Sequence, residues 1–138
     1  MKVFHLNIRS FNLHQFELKA FLNCLKIEFD IILLTETGNI SQSIIEQEFD
    51  DFILHVKPPK TSRGGAGILI RKDVFDTIEL LDNVSDFKLD KNCTCNNCLT
   101  ESQFIKLKVN NNNVIVGSIY RHPKGNPDHF NKSRKPAQ

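Results

Sequence analysis

Three places in this chain hold side chains that could do chemistry. Glu36 lies in Thr35-Glu36-Thr37, directly behind the apolar run Ile31–Leu34. A carboxylate at a strand's C-terminal end is a natural ligand for Mg²⁺, a hard ion that seeks oxygen. A solvated acid without function suits the same position. Asn7 falls on the polar side of an alternating segment, three residues before Ser10. Its amide can orient a carboxylate or bind a phosphate oxygen, or it can simply cap its own turn. Tyr120-Arg121-His122-Pro123 closes the last alternating segment and contains the only Tyr of a chain without Trp. A phenol, a guanidinium and an imidazole at one strand end suit a phosphoryl group. The alternative is an aromatic strand residue followed by a basic loop.

Other candidates are weaker. Gly64-Gly65-Ala66-Gly67 lacks the spacing of a phosphate-binding loop and precedes a strand instead of a helix, so close backbone approach is the better reading. Cys93, Cys95 and Cys98 put three thiols in one short stretch, whereas a structural zinc site needs four ligands. Free thiols are the simpler reading, and zinc completed by a distant residue or a partner is the alternative. Asp128-His129 resembles a base pair for hydrolysis but lies in a Pro-rich segment with no scaffold to hold it.

The elements that must position these residues follow from periodicity. Val3–Ile8 alternates, with Phe4, Leu6 and Ile8 on one face, and reads as a strand. Leu13, Phe16, Ala20, Phe21, Cys24 and Leu25 recur at helical spacing and define the expected core face of a helix over 12–26. Asn12 is its expected cap, with Gln15 as the reciprocal partner. Residues 29–37 read as a strand buried on both faces. Strand, helix and strand form a βαβ unit, so the two strands run parallel and bring Asn7 and Glu36 to one sheet edge. A short helix capped by Ser41 follows, then strands over 51–56, 66–71, 76–81, 102–109 and 114–120. Asn110–Asn113 is the expected hairpin turn, because Asn tolerates positive φ. The expectation is α/β: two helices and about seven strands in a mixed sheet.

Composition narrows the class. The chain has 138 residues, with 40% hydrophobic and 25% charged, which suits a packed domain. The net charge is only +2, but residues 121–138 carry five Lys/Arg against one acid, which leaves −2 for residues 1–120. No stretch approaches the ~18 apolar residues of a membrane span, so no membrane partner is expected. The N-terminus does not read as a signal peptide, and the thiols are expected to be reduced inside a cell.

In order, the chain carries Asn7-Ile8-Arg9-Ser10, Thr35-Glu36-Thr37, Arg63-Gly64-Gly65-Ala66-Gly67-Ile68 and Gly117-Ser118-Ile119-Tyr120-Arg121-His122-Pro123. This series resembles the endonuclease/exonuclease/phosphatase family, in particular the endonuclease domains attached to reverse transcriptases of non-long-terminal-repeat retrotransposons. The resemblance covers residues 3–123. It implies a partial four-layered α/β sandwich of DNase I-like fold over 1–123, followed by a basic, Pro-containing loop or disordered tail over 124–138. It also implies a metal-dependent phosphodiesterase that nicks DNA. Glu36 and Asn7 would hold Mg²⁺ or Mn²⁺, with Asn7 also supporting the phosphate network. Tyr120 would contact the phosphoryl group, and Arg121 would assist at the DNA backbone.

That family also has a Gly-Asp-Phe-Asn segment and a Ser-Asp-His near its C-terminus, and these residues contain neither. The resemblance therefore implies a truncated endonuclease, catalytically inactive alone. Two alternatives are a non-catalytic nucleic-acid- or protein-binding remnant and a zinc-dependent interaction module. An intracellular, nuclear setting follows from the same resemblance.

Overall fold

The computed structural model describes residues 1–57, 59, 63–81 and 100–121. Cys93, Cys95, Cys98, Asp128, His129 and the 124–138 tail lie outside the described residues. The elements run β1 (Val3–Asn7), α1 (Phe11–Leu25), β2 (Ile31–Thr35), α2 (Gln42–Glu48), β3 (Phe52–Val56), β4 (Ala66–Arg71), β5 (Thr77–Leu80), β6 (Thr100–Val109) and β7 (Asn112–Arg121).

The seven strands divide into two sheets where one mixed sheet was expected. The first has the order β1-β2-β4-β3 and the second β5-β6-β7. β1 and β2 are parallel, with Val3 opposite Ile31 and Asn7 opposite Thr35, whereas β4 runs antiparallel to β2 and β3. The break falls after β4, where the chain turns at Asp73 with φ of 64°.

β2 explains the layering. Ile32 and Leu34, both fully buried, face Phe11, Leu18, Ile45 and Phe49 of the helical side. Ile31, on the opposite face of the pleat, packs with Ile68, Ile70, Ile105 and Leu107 between the sheets. Helices, first sheet and second sheet are three of the layers of an α/β sandwich. Each such side chain removed from water contributes about 1.5–3 kcal/mol.

α1 presents a different face from the expected one. Phe11, Gln15 and Leu18 are buried, with Leu22 packed beside them. Leu13 is 75% exposed and Phe16 64%, and Ala20, Phe21, Cys24 and Leu25 are also exposed. The helix carries two apolar stripes, and its entry point selects between them. The Phe11 amide donates to Thr37 O at 2.8 Å, which pins the first turn against the end of β2. Residues 15, 18 and 22 then follow Phe11 onto the sheet at helical spacing.

The expected cap also moves. Ser10 is the N-cap and makes no side-chain capping bond. Asn12 lies inside the helix and ties it to the next loop, donating to Asn39 O at 2.8 Å and accepting from the Ser41 amide at 3.3 Å. The β6–β7 turn is shorter than the four-Asn run. Only Asn110 (φ 49°) and Asn111 (φ 66°) form it, and Asn112 and Asn113 belong to β7. Two consecutive positive-φ residues make a type I′ turn, whose twist matches that of the flanking strands.

Candidate active site

The C-terminal ends of β1, β2 and β7 meet at one edge of the sandwich. The β1–β2 pairing continues past both strands: Ile8 N donates to Thr35 O at 3.0 Å and Ser10 N to Glu36 O at 2.7 Å. Holding this register forces Arg9 (φ 51°), Ser10 (φ 88°) and Glu36 (φ 53°) into positive φ. For non-glycine residues such conformations cost about 1–3 kcal/mol each, and they cluster at functional sites.

In that conformation Glu36 reaches both neighbouring strand ends. The Asn7 Nδ2 donates to Glu36 Oε1 at 3.0 Å. Tyr120, a residue only 7% exposed, is hydrogen-bonded through its phenol to the Glu36 carboxylate from the second sheet. Burial holds this phenol above its ordinary pKa range. The Glu36 charge, its hydrogen bond and the Glu101 charge push the same way, and the Arg63 guanidinium pulls back. Tyr120 is therefore a neutral donor at physiological pH.

The structure thus brings Asn7, Glu36 and Tyr120 together. Arg121 is exposed at the last position of β7. Adjacent strand residues point to opposite faces, so Arg121 leaves the pleat on the side away from Tyr120. His122 lies outside the described residues.

Glu101 went unnoticed in the sequence. It lies directly opposite Tyr120 on β6 and is 7% exposed. Its Oε2 accepts the Gly65 amide at 2.7 Å. A two-residue turn at Asn110–Asn111 would have revealed the facing pair, because register in a hairpin is fixed by the turn. Thr37 is fully buried against Gly65, whose φ of 112° and contact with the Thr37 hydroxyl leave no room for a Cβ. The small-residue reading of Gly64–Gly67 therefore fits this close backbone approach. Ser118 donates to Leu34 O at 3.0 Å and links the two sheets below Tyr120.

Among the described residues, no group of three or more His, Cys, Asp or Glu converges on one point. One carboxylate at an open sheet edge fits Mg²⁺ or Mn²⁺ in a particular way. Mg²⁺ keeps several waters and takes one or two carboxylates plus substrate phosphate oxygens. The Asn7 nitrogen faces Glu36, so Asn7 as placed orients the carboxylate.

No protein-family model matches the sequence, and no curated protein matches it. Solved structures do. One is a humanized TDP2 from D. rerio carrying 14 mutations, with a TM-score of 0.63 at 9% identity over 95% of this chain and 55% of that one. Another is the AP endonuclease LMAP from Leishmania major, with a TM-score of 0.59 at 14% identity over 95% of this chain and 45% of that one. The chain has the DNase I-like fold. It spans about half the length of the structures it matches. In this DNase I-like frame, the Asn7–Glu36–Tyr120 cluster lies where β1, β2 and β7 end together.

Proposed function

We propose that these residues carry the metal-holding half of a phosphodiesterase of retrotransposon-endonuclease type, and that on their own they do not turn over DNA. The observation that carries the reading is the convergence of Asn7 and Tyr120 on Glu36 from separate strands and separate sheets. The retrotransposon assignment is supported by the order of the four motifs between Asn7 and Pro123. The neighbouring AP endonuclease supports a nuclease ancestry.

Glu36 would hold Mg²⁺ or Mn²⁺, and Asn7 would fix the carboxylate through its Nδ2. A bound ion of this kind polarises a phosphate and stabilises charge on a leaving oxygen. Tyr120 has a neutral phenol whose single O–H, engaged by Glu36, would have to leave that carboxylate to donate to a phosphoryl oxygen. Arg121, exposed at the end of the same strand, would contact a backbone phosphate farther along the DNA. The chain contains neither a Gly-Asp-Phe-Asn nor a Ser-Asp-His segment to position and activate water. Such groups act as a unit, and their loss costs several powers of ten in rate. DNA as the target would place the protein with chromosomes, in the nucleus.

Supercoiled plasmid with Mg²⁺ or Mn²⁺ tests this reading, with Glu36→Ala alongside. The expected result is no nicking by either folded protein, together with Mg²⁺ uptake by the wild type that Glu36→Ala abolishes. Nicking that depends on Glu36 would overturn the inactivity. Absence of Mg²⁺ uptake would overturn the metal role.

The charge of residues 121–138, +4 in all, favours a second reading, of the chain as a nucleic-acid-binding one. Its affinity for a DNA duplex would then fall steeply with salt, with a slope near −0.9 per phosphate contact. A salt-independent affinity, or none, would remove that reading.

A further inference from the structure

We propose that Glu101 is a positioning residue for the candidate centre. From the second sheet it clamps the Gly64–Gly65 turn, and through that turn it holds the Thr37–Gly38 backbone, so that Glu36 keeps the left-handed conformation in which it meets Asn7 and Tyr120. The inference deepens the proposed function and rests on it only where the metal is concerned.

A carboxylate this deeply buried is costly unless hydrogen bonds compensate for its lost hydration. Two and three pleats further along the same face of β6 come Ile105 and Leu107, fully buried and apolar, so packing alone would favour an apolar residue here. The turn before β4 supplies part of that compensation. The Glu101 Oε2 takes the Gly65 amide at 2.7 Å, a charge-assisted bond and so among the stronger kinds. The carboxylate also lies so close to Gly64 that any Cβ there would collide with it.

The turn passes the constraint on. Gly64 O accepts the Gly38 amide at 2.9 Å, and the Thr37 hydroxyl rests against Gly65. Thr37 and Gly38 directly follow Glu36, whose φ of 53° is unfavourable unless its surroundings enforce it. Across the hairpin, Glu101 is paired in register with Tyr120, the residue that meets Glu36 from the other side. One buried acid therefore stands behind both the loop that carries Glu36 and the strand that carries its phenolic partner.

The test uses the whole chain, labelled for amide NMR, with Glu101→Ala, Glu101→Gln and Glu101→Asp, and with Ile105→Val as a control. Glu101→Ala should speed hydrogen exchange at the Gly38 amide about tenfold or more, the loss of a bond to a charged group. It should also move the Asn7 side-chain amide signals, although Asn7 does not touch Glu101. Glu101→Gln retains an acceptor oxygen for Gly65 and should keep both readouts near wild type. Ile105→Val should lower stability without moving the Asn7 signals, which separates positioning from general loosening. If Glu101→Ala does not fold, Glu101→Asp, with its carboxylate drawn back from the turn, is read by the same signals. Folded Glu101→Ala or Glu101→Asp with unchanged Gly38 exchange and Asn7 signals would overturn the inference.

Mg²⁺ titration adds a second arm, in which Glu101→Ala should weaken uptake about tenfold and Glu101→Gln should restore it. If the wild type takes up no Mg²⁺, the metal reading fails, and the Gly38 and Asn7 signals still decide the role of Glu101.

Discussion

The space between the two sheets is filled in two different ways along the same strands. Near the Asn110–Asn111 turn it holds Ile31, Ile68, Ile70, Ile105 and Leu107, all fully buried and all aliphatic. At the other end it holds Thr37, Glu101, Gln103, Ser118 and Tyr120, also buried and each carrying a polar group. One face of β6 changes character halfway along its length, from Glu101 and Gln103 to Ile105 and Leu107. The aliphatic end gains from burial, which has no direction and tolerates small shifts. The polar end holds together only where donors meet acceptors, so it fixes geometry at the expense of stability. A domain of this size can support such an end because the other one binds the sheets together.

Substitutions at the two ends should therefore behave differently. The largest effect is expected at the aliphatic end: Ile105→Ala leaves a cavity in a fully buried cluster and should cost about 2–5 kcal/mol in a denaturant titration. A loss below about 1 kcal/mol would mean that this end does not hold the sheets together. Next comes Gly65→Ala at the polar end, where positive φ and the Thr37 hydroxyl both oppose a methyl group. We expect about 2 kcal/mol of destabilisation, with the Glu36 loop disturbed more than the aliphatic cluster.

Gln103 should respond with the opposite sign. Its buried Oε1 has no hydrogen-bond partner among the described residues. Replacement by Met removes an unsatisfied acceptor and should raise stability by about 1 kcal/mol, read as a higher midpoint at unchanged slope. A lower midpoint would show that the amide oxygen is satisfied in solution.

The smallest effect concerns a proton. Tyr120 is the only Tyr and there is no Trp, so phenolate absorbance reports that residue alone. Its midpoint should lie above the ordinary value near 10.0 and fall part of the way back in Glu36→Gln, since burial remains. A raised pKa means that the neutral phenol is favoured by the fold. The associated stability is fully present below the unfolded-state value and is lost as pH rises through the folded-state value. A midpoint at or below the ordinary value would remove Glu36 and burial as controlling influences.

Much of this arrangement was legible in the residues. The limits of β4, the burial of β2 on both faces and the parallel β1–β2 pair follow from apolar periodicity, and they bring Asn7 and Glu36 to one edge. The packing face of α1 did not, because two stripes compete on one helix and a backbone bond from Phe11 to Thr37 selects between them. Asn12 has the chemistry of a cap, yet Ser10 is pulled into that position by the extended β1–β2 ladder. Glu101 falls just ahead of the strand expected over 102–109, where nothing in the sequence singles it out. Its place becomes visible only when the hairpin turn is set at two residues and the register is counted back to Tyr120.

The hairpin has a consequence in time. β6 and β7 are ten residues each and adjacent in the chain, and their two-residue turn already has the twist of the strands. Hairpins of this kind close in about 1–10 μs. The Ser118–Leu34 bond between the sheets spans 84 positions and must wait for a far larger loop to close. This difference in loop length predicts that Tyr120 and Glu101 find each other early and that Glu36 is met last, when the sheets dock. Asn111→Gly, which eases the turn, should speed folding while leaving unfolding nearly unchanged if the hairpin is already formed at the barrier. On that order the site would be the closing event of the fold, and the part of the molecule most sensitive to a slip in the order of assembly.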